Sequence, residues 1–403
     1  MKKYTLKEKF MALGPGLLVV GSFIGPGTVT SSTRAGATYG YQLLWCVLFS
    51  VIAVIIMQGM AARLGIVTQK GIAENLIEDL KDRPVLRNFL VALVAAAILL
   101  GGVAYMSGDL TGTAIGISAL TGIPTNIIAP IWGVCILFLN AHDNAIKWLE
   151  KLLTVCVSIM AFVFVVTMFV VKPNWAEVFG GLLPTVPAGA IMTCVSLIGT
   201  TVVPYNLFIH ATSAHQTWKD PEEIPLSQFD VKVSMTIGGI ITGAIMVTAG
   251  TVMRGMEVNS AIDMAAQLEP LLGDLAVPFL AIGLICAGIS SAVITPLGVS
   301  YVFAGLFGWK LDKSDKRYFF TNIGIVVFGI IGASTGFNPL SLIMAAQAVN
   351  GVFLPVSVFV LLFLASKSSV MGEYKNKPLQ NVLGAAVFII SLIIGVSSVV
   401  SLF

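Results

Sequence analysis

The sequence predicts an all-α integral membrane protein with about eleven membrane-spanning helices, and three observations lead to this fold class. Of the 403 residues, 57% are hydrophobic and only 11% are charged, whereas soluble domains carry roughly 25% charged residues. The apolar residues form long runs that approach or exceed the ~20 residues needed to cross a bilayer. The basic residues are concentrated in alternate connecting segments, which is the positive-inside pattern. We therefore expect membrane lipid as the surrounding medium and no nucleic-acid partner.

The apolar runs predict helices at 12–34, 41–62, 88–119, 125–141, 149–171, 187–214, 232–253, 275–308, 318–335, 340–366 and 380–402. The longest polar stretches between them, 63–87 and 215–231, are expected to be short cytoplasmic loops, so residues 1–403 form a single transmembrane domain.

The distribution of lysine and arginine predicts the orientation of the chain. If the N-terminus is cytoplasmic, twenty of the 23 basic residues lie on the inner side, and only Arg34, Lys172 and Arg254 lie outside. We therefore expect a cytoplasmic N-terminus and an external C-terminus, in the plasma (inner) membrane of a prokaryote. The five cysteines lie inside apolar runs and form no CxxC pair, so we expect buried thiols rather than disulfides, a metal cluster or a cofactor site.

Two of the predicted helices contain a helix-breaking motif in the middle of the run. The first contains Gly25-Pro26-Gly27-Thr28, and the sixth contains Val203-Pro204-Tyr205-Asn206. Proline removes a backbone donor and clashes with the preceding turn, so both helices are expected to unwind there. The freed backbone groups must face protein or a water-filled cavity, because lipid cannot satisfy them. A single proline kink often has no function, but two breaks that lie five helices apart favour a functional site.

The spacing of the breaks predicts inverted repeats. Helices within 12–171 and within 187–366 would form two five-helix units of opposite orientation, each with a broken first helix, and 380–402 would be an extra helix. This is the LeuT-type arrangement of secondary transporters, with the substrate site at mid-membrane between the two breaks.

Several motifs, in the same order along the chain, resemble the NRAMP family of proton-coupled divalent-metal transporters. They are LGPGLLVVGSFIGPGTVTSSTRAGATYGYQLLW at 13–45, ARLGIVT at 62–68, GTTVVPYNLFIH at 199–210, GLICAGISS at 283–291, Gln347 eight residues before Pro355, and MGEYKN at 371–376. Together they cover nearly the whole chain. The resemblance implies the LeuT-type fold and a metal cation as substrate.

The sequence departs from the family pattern at the residues that the resemblance assigns to metal binding. The family motif Asp-Pro-Gly-Asn reads Gly25-Pro26-Gly27-Thr28 here, and Met-Pro-His-Asn reads Val203-Pro204-Tyr205-Asn206. The metal-binding carboxylate and the thioether ligand are therefore both absent. Because methionine sulfur favours softer transition metals, we expect a site that is not tuned for them. A hydrated hard cation such as Mg²⁺, held by oxygens, fits better.

The candidate coupling residues are two intramembrane polar groups. Where the family carries Asp and, three residues on, Glu in the third helix, this chain has Met106 and Asp109, and His210 matches the family's second histidine on the sixth helix. Intramembrane acids are functional by default, so Asp109 and His210 are assigned to coupling with H⁺ or Na⁺. A purely structural pairing of Asp109, with His210 or a backbone amide, is the alternative interpretation.

The predicted substrate-binding residues lie at the two breaks and on the tenth helix: Gly25, Gly27, Thr28, Thr200, Val203, Asn206 and Gln347. The same residues allow a second interpretation, in which the positive N-terminal end of the half-helix after Gly25 binds a small carboxylate-bearing solute. A non-transporting membrane sensor is a third, but no output domain can be separated from the helices. No nucleophile, base and orienting group occur together as a catalytic set, so an enzyme is not expected.

Overall fold

The computed structural model describes residues 4–16, 20, 24–141, 143–311 and 314–400, with only the backbone described for 141 and 143–151. Throughout these ranges the regular structure is helical. Twelve labels are used for the longer helices and half-helices: α1 Pro26–Tyr39, α2 Leu44–Thr68, α3 Pro84–Thr121, α4 Thr125–Ala141, α5 Asp143–Val170, α6 Ile191–Thr201, α7 Pro204–Thr217, α8 Ile224–Val252, α9 Ala276–Phe307, α10 Lys316–Ala333, α11 Pro339–Ala365 and α12 Pro378–Val400.

Each labelled helix lies on one of the predicted apolar runs. By length and composition, eight helical stretches of the described chain can cross a membrane, and Thr125–Asn140 is a shorter apolar helix. The total of eleven spans stays a prediction. The inner half of the first predicted helix includes 17–19 and 21–23, which lie outside the described residues.

A half-helix begins at each of the two predicted break points. Gly25 has extended backbone angles (φ −109°, ψ −172°), and α1 begins at Pro26. On the sixth predicted helix, α6 ends at Thr201 and α7 begins at Pro204, after extended Val203 (φ −76°, ψ 125°). Proline suits the first position of a helix because its missing N–H would have no partner there. By contrast, helices α4, α9 and α11 continue through an internal proline.

Glycines allow the helices around the breaks to approach closely. A methyl group on Gly112 of α3 would collide with the ring of Pro26, and one on Gly288 of α9 would lie 3.0 Å from the carbonyl oxygen of Asp109. A methyl group on Gly199 of α6 would lie 2.6 Å from the backbone nitrogen of Gly351 in α11. Helix α3 therefore packs directly against the start of α1, and α6 packs directly against α11.

The prediction of a polar loop at 215–231 is wrong for 224–231, which are helical. Helix α8 begins at Ile224, after a 3₁₀ turn at Pro221–Glu223 that is capped by the side chain of Asp220. Asp230 therefore lies inside α8 and is fully buried. Its carboxylate oxygens accept the backbone N–H groups of Gly14 (3.0 Å) and Gly16 (2.6 Å). This acid caps the start of the first predicted helix, where backbone donors have no helical partner.

Two ion pairs link connecting segments that are predicted to lie on the same side of the membrane. Lys367 bonds to Asp79 at 2.5 Å, which joins two segments predicted to be cytoplasmic. At the opposite end, Arg254 pairs with Glu177 at 3.0 Å, which joins two segments predicted to be external. These contacts group the segments by end, and which end faces the cytoplasm stays a prediction.

Candidate functional site

The predicted site residues are all buried, and most of them meet where the two broken helices come together. Thr28 and Thr200 are 0% exposed, Asp109 is 1% exposed and Asn206 is 2% exposed. Such dense burial of polar groups in a membrane-spanning bundle requires that they bond to one another or to a ligand.

Hydroxyl pairs join α1, the half-helix that follows the first break, to α6. The hydroxyls of Thr28 and Thr200 lie 2.9 Å apart, and those of Ser31 and Ser196 lie 2.7 Å apart one turn further along α1. Either member of each pair can be the donor. The structure therefore brings Thr28 and Thr200, two of the predicted substrate-binding residues, into direct contact.

Gln347 of α11 lies over the break in the first helix. A methyl group on Gly27 would collide with the side-chain amide of Gln347, and one on Gly108 would lie 3.6 Å from its Nε2 atom. The side chain is 0% exposed, and neither its Nε2 nor its Oε1 atom has a hydrogen-bond partner among the described residues. A buried amide without partners costs about 1–3 kcal/mol for each unsatisfied group, so Gln347 is a candidate for binding a ligand.

Asp109 of α3 is held by two hydroxyls of α9. Ser291 donates to its Oδ2 atom at 2.8 Å, and Thr295 donates to the same oxygen at 3.1 Å. The Tyr205 hydroxyl lies 3.0 Å from that of Thr295, and the Tyr205 ring packs edge-on against Tyr105 with centroids 6.0 Å apart. The alternative pairing of Asp109 with His210 is not what the structure shows.

The other carboxylate oxygen of Asp109 lies towards Gly25. A methyl group built on Gly25 would be 3.9 Å from Asp109 Oδ1 and 3.6 Å from the Ser291 side chain, both ordinary contact distances. The extended residue that precedes α1 is therefore adjacent to the only acid that sequence analysis placed in the middle of a helix.

His210 lies one turn beyond Asn206 on α7 and contacts α2 instead of α3. Its Nδ1 atom is 2.6 Å from Gln58 Oε1. A carbonyl oxygen only accepts, so with this amide orientation Nδ1 carries the proton. The Nε2 atom is buried without a partner among the described residues. His210 and Asp109, which sequence analysis grouped as coupling residues, therefore bond to different helices, α2 and α9.

Val203 and Asn206 form the break in the sixth predicted helix. Val203 precedes α7, and its carbonyl accepts the backbone N–H of Asn206 at 3.1 Å. Both side chains are buried, at 1% and 2% exposed. The branched apolar side chain of Val203 offers no ligand atom, as predicted from its type.

Ser291, Thr295 and Gln58 were not predicted as site residues. Ser291 ends one of the family-like motifs, and Thr295 follows one helical turn later, but hydroxyls in membrane helices often bond only to their own backbone. The described residues hold no group of three His, Cys, Asp or Glu side chains that could bind a metal ion. A cation at this site would therefore be bound chiefly by carboxylate, amide, hydroxyl and backbone oxygens, which are the ligands of hard cations.

Comparison with known proteins gives consistent similarities over the whole chain. The sequence model described as Nramp, natural resistance-associated macrophage protein-like, matches residues 16–401. The divalent metal cation transporter MntH of Aeromonas hydrophila is 27% identical over 408 residues, which cover 97% of this chain and 95% of that protein. The natural resistance-associated macrophage protein 2 homolog of Dictyostelium discoideum is 26% identical over 388 residues, which cover 93% of this chain and 61% of that protein.

Solved structures share the fold. A crystal structure of the Eremococcus coleocola manganese transporter, in complex with an aromatic bis-isothiourea substituted compound, matches with a TM-score of 0.81 at 20% identity, over 100% of this chain and 89% of that chain. MhsT in complex with L-phenylalanine matches with a TM-score of 0.63 at 15% identity, over 100% of both chains. The predicted LeuT-type membrane fold is confirmed.

Proposed function

This chain belongs to the Nramp family, whose sequence model matches residues 16–401, and from that membership we propose that it is a secondary transporter of divalent metal cations. Its curated relatives include a divalent metal cation transporter that matches 97% of the chain. Transport by alternating access suits the LeuT-type fold, in which two inverted repeats move about a central site. We propose residues 12–171 and 187–366 as these repeats, with 380–402 outside them.

The observation that carries this proposal is the buried polar cluster at the two helix breaks. Asp109, Gln347 and the hydroxyl pair of Thr28 and Thr200 are all buried there, inside a bundle whose outer surface is apolar. An acid and an unsatisfied amide in the middle of a membrane-spanning bundle are costly unless they bind something. The candidate ligands are all oxygen or nitrogen atoms, so the proposed substrate is a hard divalent cation that keeps part of its hydration shell.

The finer assignments are proposals of the same kind. Coupling to H⁺ or Na⁺ through Asp109 and His210, a cytoplasmic N-terminus, a location in a prokaryotic inner membrane and the lack of enzymatic activity all follow from family membership and charge distribution. The alternative of a small carboxylate-bearing solute is less well supported, since the Gln347 side chain covers Gly27 at the half-helix N-terminus that would bind the anion.

Transport measurements in liposomes test the proposal. Purified protein is reconstituted, and uptake of Mg²⁺, Ca²⁺ and Mn²⁺ at millimolar concentration is followed with entrapped indicators against protein-free liposomes. We expect saturable uptake of at least one of these ions, with Mg²⁺ transported at least as well as Mn²⁺. No uptake or binding of any of the three would refute divalent-cation transport, and a strong preference for Mn²⁺ would refute the hard-cation selectivity.

A further inference from the structure

We propose that Asp109 of α3 supplies the carboxylate that binds the transported cation, at the point where the first helix is broken at Gly25. This assignment rests on the proposed function and adds to it the residue that neutralises the cation's charge. Three features of the structure support it: the position of the carboxylate, its orientation, and the distribution of buried charge.

The position follows from the close approach of α3 to α1. Gly112 contacts Pro26 so closely that a methyl group there would collide with its ring. Asp109 lies almost one turn earlier on α3, and its Oδ1 atom lies 3.9 Å from the point where a side chain on residue 25 would begin. Because Gly25 has no side chain, the Asp109 carboxylate borders the extended backbone at the break.

The orientation is held by α9. Ser291 and Thr295, which are four residues apart, both donate to Oδ2 of Asp109. Hydroxyl donors to an ionised carboxylate form charge-assisted bonds, and two donors on one oxygen direct the other oxygen towards Gly25. Tyr205, on the second broken helix, lies within hydrogen-bonding distance of Thr295. The carboxylate, which belongs to the first proposed repeat, is therefore held in place by groups of the second.

The distribution of charge indicates a cation. Among the described residues the buried carboxylic acids are Asp109 and Asp230, and the buried basic side chains are Arg63 and His210. His210 bonds through Nδ1 to Gln58. Asp230 is engaged by the backbone of Gly14 and Gly16, and Arg63 donates to Asn376 and Gln380. No described basic side chain pairs with Asp109. A buried charge is strongly unfavourable without a counter-charge, and a bound cation supplies that charge.

A second ligand group lies along the same break. The Gln347 amide borders Gly27, two residues after Gly25, and both of its polar atoms are buried without described partners. Its oxygen can bind the cation or a water of its hydration shell. A carboxylate and an amide, with the nearby Thr28 and Thr200 hydroxyls, make an oxygen site that fits Mg²⁺, Ca²⁺ or Mn²⁺ and has no soft ligand.

The test moves the carboxylate from one helix to the other. Binding of Mg²⁺ and Mn²⁺ to the purified full-length protein is measured by titration calorimetry, and uptake is measured in liposomes. Asp109→Asn is expected to weaken binding more than about 100-fold, since loss of outer-shell partners alone costs roughly 10–100-fold. Gly25→Asp combined with Asp109→Asn should recover much of the affinity, because a side chain on residue 25 begins next to Asp109 Oδ1 without a clash. The matched control, Gly25→Asn with Asp109→Asn, has the same volume without the charge and should not recover it.

The outcomes separate this assignment from the proposed function. If the unmodified protein neither binds nor transports any divalent cation, the proposed function fails. If it does bind and Asp109→Asn retains its affinity, the assignment fails and the function stands. The assignment also fails if the two folded double variants bind equally weakly. Should Asp109→Asn not fold, Ser291→Ala removes one donor to Oδ2 and is expected to weaken binding roughly 10-fold or more; unchanged affinity in that variant overturns the assignment.

Discussion

Short hydroxyl side chains surround Asp109 and the two helix breaks. Ser291 and Thr295 bond to the acid, and Thr28 bonds to Thr200. Hydroxyls can turn either a hydrogen or a lone pair towards a neighbour, so they stabilise a carboxylate without neutralising it. A basic residue in their place would cancel the negative charge that the proposed cation binding requires. At the residue scale, the site is therefore a carboxyl group surrounded by neutral hydroxyls.

Val203 offers a direct test of selectivity at this scale. Val203→Met places a thioether at the second break, where the buried valine offers no ligand atom. Because sulfur prefers softer ions, the affinity for Mn²⁺ or Cd²⁺ relative to Mg²⁺ should rise about tenfold, which is about 1.4 kcal/mol. Competition binding measures the ratio. Val203→Leu, of similar size without sulfur, should leave the ratio unchanged, and an equal shift in both variants would contradict the prediction.

The sequence predicted some of these residues and not others for a physical reason. An acid in an apolar run is conspicuous, so Asp109 could be selected by type, whereas Gln347 was selected through the resemblance to the family motifs. Serine and threonine are not conspicuous, since Thr111 and Thr113 donate to carbonyls four residues back within α3. The Thr295 hydroxyl lies within hydrogen-bonding distance of both such a carbonyl and Asp109, and its single hydrogen is shared between them. Only the packing of α9 against α3 distinguishes it.

At the scale of elements, backbone contact between α6 and α11 positions Gln347. Gly199 of α6 lies against the carbonyl of Gln347 and the N–H of Gly351. Since both helices lie beside the breaks, their separation determines where the amide sits. Small residues at such crossings allow helices in membranes to pack closely.

Gly199→Ala should therefore destabilise the protein and impair cation binding. The added methyl group meets backbone atoms that can move only with the whole helix, at an expected cost of about 1–3 kcal/mol. Thermal unfolding in detergent and calorimetric titration measure the two effects. Gly243→Ala on α8 is the matched control, because nothing lies within 4 Å of its added methyl group. Equal behaviour of the two variants would contradict this account.

Asp230 makes a second prediction about elements. Its two oxygens accept the N–H groups of Gly14 and Gly16, whereas asparagine has one acceptor and would turn an N–H₂ group towards one of these donors. Asp230→Asn is expected to cost about 1–3 kcal/mol and to lower the melting temperature by a few degrees. Asp220→Asn changes an exposed cap and should have less effect. A larger loss at Asp220 would be inconsistent with the burial of Asp230.

The positions of the helices were largely predictable from the sequence, but their first and last residues were not. Runs of apolar residues located the helices because lipid requires about 20 such residues for each span. The start of α8 was missed because its first turns are polar: Ser227 and Asp230 pack inside the protein although the run around them reads as a loop. The burial of Asp230 depends on the N-terminal segment that folds against it, and no local pattern encodes that contact.

At the scale of the whole molecule, ion pairs and ring contacts join neighbouring segments at each end of the helix bundle. Lys367 with Asp79, and Phe10 with Phe229 at a centroid distance of 5.3 Å, join segments at one end. Arg254 packs on the ring of Tyr41 at 4.9 Å at the other end. The excess of basic residues at one end predicts that this end faces the cytoplasm.

Chemical labelling can establish the orientation. In a variant whose five cysteines are replaced, a single cysteine is introduced at Glu177 or at Glu78, whose side chains are 49% and 59% exposed. A membrane-impermeant maleimide added to intact cells should label position 177, and position 78 only after permeabilisation. The reverse result would mean that the chain is inserted in the opposite orientation.

The hydroxyl pairs between α1 and α6 also have a consequence for the rate of movement. When Thr28 turns a lone pair towards a cation, it can still donate its hydrogen to Thr200, so a ligand arrives without a broken bond. Ser31 and Ser196 can likewise exchange donor and acceptor roles in place. Helices α1 and α6, which belong to different proposed repeats, are thus linked by hydrogen bonds that reverse direction when both hydroxyls rotate about their C–O bonds, which is a local side-chain motion. A change in hydroxyl direction at the proposed site therefore reaches both proposed repeats far faster than the helices themselves can move.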